Sequence, residues 1–255
     1  MFRTKGVDMR KSFRGRAAGV GAVSALVLGL AGMSSDDGGY DMYGPSGIVI
    51  APSGRLFVTD YGGERVLSWP NADALTKCEP ADIVIGAGDL LGPEALALDS
   101  SGNLYVADTN DHTVKIFKPN AEGTAYSLSV TLGTPGTAGD GDNQFDYPRG
   151  LAIGPGGTLF VADDYNNRVL MFTAPFSNGE SASDSVGAGD NGGFDHPKAV
   201  AVWGNSLFVA DYDNSRVLRF TGPFDTPDQV YKATATFTGV DSPSTWPWAP
   251  AGRCT

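Results

Sequence analysis

The chain has 255 residues, of which 29 are acidic and 18 basic, so its formal net charge is −11 at pH 7. A nucleic-acid-binding protein needs a basic surface that displaces counterions from phosphates, so this composition disfavours that class. The same negative field repels anionic lipid surfaces and attracts divalent cations or basic peptides.

The first 31 residues have the layout of an export signal. Six basic residues and one acid fall within positions 1–16, and the uncharged run 17–31 follows directly. This run is short for a membrane span, which needs about 20 apolar residues. We therefore expect residues 1–31 to be a signal peptide or an uncleaved N-terminal anchor. If the segment is not cleaved, we expect it to be the protein's only attachment to a membrane. The predicted location is secreted, periplasmic or in the cell envelope. Cleavage would leave 12 basic and 28 acidic groups, a net charge of −16.

After a linker over residues 32–44, one pattern recurs four times. The copies read LFVTDYGGERVLSW, LYVADTNDHTVKIF, LFVADDYNNRVLMF and LFVADYDNSRVLRF, and their aspartates are spaced by 48, 55 and 48 residues. Each copy follows a proline and a short apolar run without polar alternation, which predicts a first strand buried on both faces. Tight-turn residues and a looser fourth apolar segment complete each copy, so we expect four antiparallel strands per repeat.

These features together resemble the NHL-repeat β-propeller family. The resemblance is carried by the proline and small apolar strand, then G-x-L-[FY]-V-A-D, then N-x-R-V, with linkers such as DGDNQFDYPRG and DNGGFDHPKA. It implies an all-β propeller over residues 45–239, with four-stranded blades at about 45–88, 93–139, 148–190 and 197–239. Family domains are usually closed rings, often of six blades. Four visible copies leave three arrangements open: a compact closed ring, an open arc, and a fragment completed by another chain.

The Pro- and Trp-containing tail, residues 240–255, is too short for a further blade. It contains Cys254, and the only other cysteine is Cys78 in the first copy. An oxidising compartment would permit a disulfide between them, which in a closed four-bladed ring would join blade 1 to the end of blade 4. Two free thiols and an intermolecular bridge are the alternative interpretations.

Residues shared by all copies are interpreted as structural. The aspartates at the ends of the second strands, Asp60, Asp108, Asp163 and Asp211, precede tight turns where a carboxylate accepts backbone N–H groups. An arginine follows five residues later in three copies, and a guanidinium offers five donors for turn or neighbouring-blade carbonyls. The second copy has Thr113 at that position instead.

Positions at which the copies differ are the candidates for binding. The residue after each linker proline should face the mouth of the central channel, and these four residues differ in charge: Ser46, Glu94, Arg149 and Lys198. Turns and linkers of the same end add three tyrosines, Tyr61, Tyr165 and Tyr212. Loops at one end of a rigid repeat scaffold commonly collect binding residues, so we predict recognition of a protein, peptide or glycan there.

Metal and enzyme functions have weaker sequence support. Asp140, Asp142 and Asp146 make calcium the only candidate cofactor, but their run lacks the glycine and glutamate of an EF-hand loop. His112 and His196 belong to no zinc motif, and no catalytic residue is assigned, so a propeller hydrolase or lyase with a channel site rests on fold analogy alone. A truncated or assembling fragment is the third interpretation, and it would self-associate through exposed blade edges.

Overall fold

The computed structural model describes residues 42–76, 79–187, 193–224 and 231–238, which form four antiparallel four-stranded sheets. Blade 1 contains β1 (Pro45–Ile50), β2 (Leu56–Asp60), β3 (Arg65–Trp69) and β4 (Ile83–Ile85). Blade 2 contains β5 (Pro93–Leu98), β6 (Leu104–Asp108), β7 (Thr113–Pro119) and β8 (Tyr126–Gly133). Blade 3 contains β9 (Pro148–Ile153), β10 (Leu159–Asp163), β11 (Arg168–Phe172) and β12 (Asp184–Val186). Blade 4 contains β13 (Pro197–Trp203), β14 (Ser206–Asp211), β15 (Arg216–Thr221) and β16 (Ala233–Thr238).

Every blade is a meander in which strand order follows chain order, as the repeat predicts. The hairpin between the second and third strands has the same register in all four blades, for example Asp60 opposite Arg65 and Asp163 opposite Arg168. The residue before the third strand has a left-handed φ of 50–55° in every copy. These repeated turns bring the same end of each blade, which we call the top face, to one side of the molecule.

The core consists mainly of apolar layers between successive blades. The first strands β1, β5, β9 and β13 pack in that order, as the innermost strands of their blades should. In blades 1 to 3 a large aromatic residue on the second strand meets a ring of the following blade: Phe57 meets Tyr126, Tyr105 meets Phe176, and Phe160 meets Phe224, with ring centroids 5.2–5.8 Å apart. Burial of apolar side chains between neighbouring blades therefore holds the array together.

The two ends of the array differ. On blade 4, the side chains that point away from blade 3 are open to solvent, with Trp203 80% exposed and Phe237 51% exposed. The prediction of two-sided burial is therefore wrong for β13, which alternates between covered and exposed residues because no blade covers its outer side. It is also wrong for β1, in which no residue is fully buried and Ile50 is 44% exposed. Within the described residues the four blades form an open arc rather than a closed ring.

Several sequence predictions lie outside the described residues: the export signal, Cys78 and the tail with Cys254. Among the residues described, no helix has the length and apolar character needed to cross a bilayer.

Candidate binding face

The repeated aspartates fix the linkers on the top face. Each is fully buried and accepts a hydrogen bond from a linker backbone N–H, at donor–acceptor distances of 2.5–2.7 Å in blades 1, 2, 3 and 4. Burial raises the pKa of Asp163, although the Asp146 amide and the Asn166 and Arg168 side chains oppose that shift. The predicted structural role of these aspartates agrees with these contacts, since each carboxylate is committed to the backbone of its own blade.

The arginines complete the same unit. Arg168 donates through Nε to Asp163 at 2.8 Å and through its terminal nitrogens to the carbonyls of Asp140, Gly141 and Gln144. Arg65 and Arg216 bind Asp60 and Asp211 in the same way, at 2.9 and 2.6 Å. The guanidinium group therefore connects the linker backbone to the turn, as the repeated arginine predicts.

Blade 2, which lacks this arginine, uses a lysine from a different position. Lys115 Nζ lies 2.6 Å from Asp108 Oδ2, 2.7 Å from Asp111 Oδ2 and 2.5 Å from the Asp89 carbonyl. Burial raises the pKa of Asp108, an effect that Lys115 opposes. Burial alone would lower the pKa of Lys115, but the two carboxylates outweigh it and the pKa is raised. The lysine thus replaces the missing arginine with a different geometry.

The four predicted channel-mouth residues, Ser46, Glu94, Arg149 and Lys198, line one cavity of about 360 Å³. The rest of its lining consists of small and apolar residues of the first strands. Blades approach closely here: a Cβ added to Gly150 would lie 2.7 Å from the Cα of Ala199. The described lining combines charged residues at the rim with small and apolar residues of the first strands, and it includes no histidine.

A chain of charged contacts runs outward from this cavity. Arg149 contacts Glu94 Oε2 through Nη1 at 2.5 Å and Asp164 Oδ2 through Nε at 2.6 Å. The other oxygen of Asp164 lies 2.9 Å from His196 Nδ1. Burial alone would lower the pKa of Arg149, but Glu94 and Asp164 outweigh it and raise the pKa. Arg149 is thus a positioned cation neutralised by two carboxylates. Through Glu94 it connects blade 3 to blade 2, and through Asp164 it connects to His196 in the linker that precedes blade 4.

Aromatic rings form a row along the rim between blades 2 and 4. His112, Tyr147, Tyr165 and His196 meet in that order, with successive centroids 4.8, 4.9 and 4.9 Å apart. Tyr165 is 53% exposed. Rings in such contact hold one another in place while their outer faces and edges stay available to a ligand.

The other two predicted tyrosines have different surroundings. Tyr212 is 59% exposed, and Lys198 Nζ lies 3.4 Å above the centre of its ring, a cation–π contact that connects the channel mouth to the rim. The hydroxyl of Tyr61 instead accepts a hydrogen bond from Asn110 Nδ2 at 2.8 Å, across the boundary of blades 1 and 2. Tyr165 and Tyr212 are therefore the more accessible pair.

The candidate calcium ligands do not converge on one point. Among the described residues, one group of acidic and histidine side chains has ligand atoms within 4.8 Å of one another, and it is Asp195, His196 and Asp213. Asp146 instead lies near His112 Nδ1, at 3.5 Å. Calcium binding at Asp140, Asp142 and Asp146 stays a prediction.

Sequence reasoning missed Asp164, Tyr147 and the contact of the two histidines with the aromatic row. A signal for Asp164 was present, because it stands where blades 1 and 4 have Tyr61 and Tyr212 and so breaks the repeat with a charge. Tyr147 and His196 both precede the linker proline, with φ of 54° at positions where blades 1 and 2 have glycine. A large ring at a glycine-favouring position is the sequence feature that marks the row.

A sequence profile of the NHL repeat matches residues 90–117, 145–172 and 194–220. Each matched range covers the end of a linker and the first three strands of blades 2, 3 and 4. Blades 2, 3 and 4 are NHL repeats. Blade 1 has the same strand order and hairpin register as the three matched NHL blades, but its turn contains Gly62 and Gly63 where they have larger residues.

No protein of curated function matches the sequence. Solved structures share the fold of this NHL-repeat chain at low identity. A protein from Lactobacillus plantarum is 16% identical over 80% of this chain and 57% of its own, with a TM-score of 0.58. A chain of a nidogen/laminin complex is 20% identical over 78% and 65%, with a TM-score of 0.53. A streptogramin B lyase is 13% identical over 77% and 55%, with a TM-score of 0.51. The NHL-repeat chain therefore spans between about half and two thirds of the length of these structures.

Proposed function

We propose that this protein is an exported recognition module that binds a basic segment of a peptide or protein on its top face. The observation that carries the proposal is the exposed pair Tyr165 and Tyr212, which adjoins the carboxylates of Asp195 and Asp213. Tyrosine faces attract lysine and arginine side chains, and nearby carboxylates add Coulomb attraction.

The charge balance of this region supports a cationic ligand. Arg149 is neutralised by two carboxylates, whereas Lys198 keeps its charge and covers part of the Tyr212 ring, so a basic ligand would contact Tyr165 and the exposed remainder of Tyr212. Asp195 and Asp213 are exposed at the rim, and the chain as a whole is acidic. A basic ligand would therefore be attracted from a distance and oriented by the rings on contact.

The lining of the channel mouth favours a binding function over a hydrolase or lyase activity. An enzyme of that kind would gather carboxylates and histidines around a pocket, whereas the described lining is a charged rim whose acid and arginine are already paired. Binding needs no reactive group in the channel.

Binding should be tested with the exported protein on a peptide array that contains lysine- and arginine-rich, neutral and acidic sequences. Affinity for the best basic peptide should fall about tenfold in each of Tyr165→Ala and Tyr212→Ala, the loss expected for an aromatic residue at the centre of an interface. Leu128→Ala removes an exposed apolar side chain on the outer strand of blade 2 and is the matched control.

Increasing salt should weaken the same interaction, because screening shortens the range of its Coulomb attraction. Preference for acidic or neutral sequences, or wild-type affinity in both tyrosine variants, would contradict the proposal.

A further inference from the structure

The outer face of blade 4 has the residue pattern of a buried interface except at Arg219, which lies opposite Phe208 where blades 2 and 3 have Ile116 and Met171. Its centre is formed by Phe208, Val217 and Phe237, which align through their strand registers with side chains that blades 1 to 3 direct at the next blade. The aligned residues are Phe57, Tyr105 and Phe160; Val66, Val114 and Val169; and Ile85, Leu132 and Val186. All nine of these side chains are at most 2% exposed, whereas Val217 is 36% and Phe237 51% exposed and Phe208 is partly exposed.

An aromatic contact is also missing at this face. Phe57, Tyr105 and Phe160 each meet a ring from the following blade, whereas no ring of the described residues meets Phe208. Trp203, at the end of β13, adds the most exposed large apolar side chain of the described residues. An apolar patch of this kind at the end of a repeat array requires a cover in a soluble protein.

The opposite end of the array already has its cover. Leu56, Val58, Leu67 and Trp69 form the far face of blade 1 and are at most 4% exposed. A second copy therefore cannot stack blade 4 on blade 1 in a head-to-tail arrangement. Two blade 4 faces would meet over a flat area of about 300 Å², given strands about 4.8 Å apart and a rise of about 3.3 Å per residue. A stable interface buries about 800 Å² per partner, so this face is too small for a second copy.

The geometry points to the tail of this chain, residues 240–255, as the cover: we propose that Trp246 and Trp248 dock on the apolar face of blade 4. The segment follows β16, the edge strand of that face, and Trp246 comes eight residues after Thr238. Eight residues span up to about 26 Å, which is about the diagonal from Thr238 to Trp203 across four strands. Either tryptophan can therefore supply the ring that Phe208 lacks.

Hydroxyl-radical footprinting with mass spectrometry tests this docking residue by residue. The full chain should be compared with a chain ending at Gly239 and with the full-length double variant Trp246→Ser/Trp248→Ser. We expect Trp203 and Phe237 to be oxidised about fourfold more slowly in the full chain than in either variant, the change from an exposed side chain to one under a close-packed cover. Ser242→Ala/Ser244→Ala is the matched tail control and should keep the protection. Tyr165, on the top face, should react equally in every form.

Two outcomes would overturn the proposal. Equal oxidation of Trp203 in all forms would mean that the tail does not cover it. The face would be assigned to a second copy if protection survived in the double tryptophan variant, increased with protein concentration and came with a doubled light-scattering mass. The full-length double variant keeps the test valid if the shortened chain does not fold. The peptide-binding assay on the top face does not depend on whether the tail docks.

Discussion

Replacement of Lys115 by leucine tests whether blade 2 depends on its substitute cation. The side chain of Lys115 is 8% exposed, and Asp108, its partner at 2.6 Å, is fully buried. Leucine occupies the aligned position in the other blades, as Leu67, Leu170 and Leu218. Lys115→Leu therefore preserves the apolar packing and leaves the carboxylate of Asp108 without its cation.

The expected loss is large. Removal of one partner from a buried ion pair costs about 3–5 kcal/mol, because the remaining charge is uncompensated. For a domain of this size each kcal/mol lowers Tm by about 2–4 °C, so the variant should melt about 6–20 °C below the wild type. Thermal unfolding followed by circular dichroism at pH 7 measures the difference.

The pH dependence gives a second readout. Burial already raises the pKa of Asp108 above its ordinary 3.8, and Lys115 opposes that rise, so the variant should have a still higher value. A carboxyl whose pKa is raised by folding contributes stability below its unfolded pKa and loses that contribution as the pH rises through the folded value. The gap in Tm between the variant and the wild type should therefore be smaller near pH 4 than at pH 7.

Restoring the arginine of the other blades provides the control. In Thr113→Arg/Lys115→Leu, blade 2 acquires the pair found in blade 3, where Arg168 Nε binds Asp163 at 2.8 Å. This double variant should recover most of the lost Tm. A Tm within 2 °C of wild type for Lys115→Leu alone, or a double variant no more stable than the single one, would refute the reasoning.

Three further predictions address the array and its ligands. Gly150→Ala should lower Tm by several degrees, because its Cβ would lie 2.7 Å from the Cα of Ala199 and overpacking costs about 1–3 kcal/mol; an unchanged Tm would mean that blades 3 and 4 do not meet this closely. If Asp140, Asp142 and Asp146 bind calcium, saturating calcium should raise Tm, and an unchanged Tm would exclude that site. Non-reducing mass spectrometry of the exported protein tests the proposed Cys78–Cys254 disulfide, which a closed ring would bring within bonding distance, and two free thiols would exclude it and agree with the open arc.

In the candidate site, the positions that recur in every repeat could be predicted from the sequence, whereas the contacts between their side chains could not. Position after the linker proline was enough to predict that Ser46, Glu94, Arg149 and Lys198 line one cavity, because equivalent residues of stacked repeats face the same axis. The contacts these side chains make were not predictable. Arg149 pairs with Glu94 of the previous blade and with Asp164 of its own, and both distances depend on how the sheets are rotated against each other.

The sequence by itself determined the repeated parts of this protein: four meandering sheets, hairpins in one register and an aspartate at each turn. These parts form through contacts between residues of one repeat, which is about 50 residues long, and the same residue pattern occurs in all four repeats. Tertiary structure decided how Lys115 replaces an arginine, how four rings form a row on the rim, and that blade 4 leaves an apolar face open. Each of these features depends on which side chains the packing of neighbouring blades brings together or leaves uncovered. The repeat pattern of the sequence does not specify the distances between those side chains.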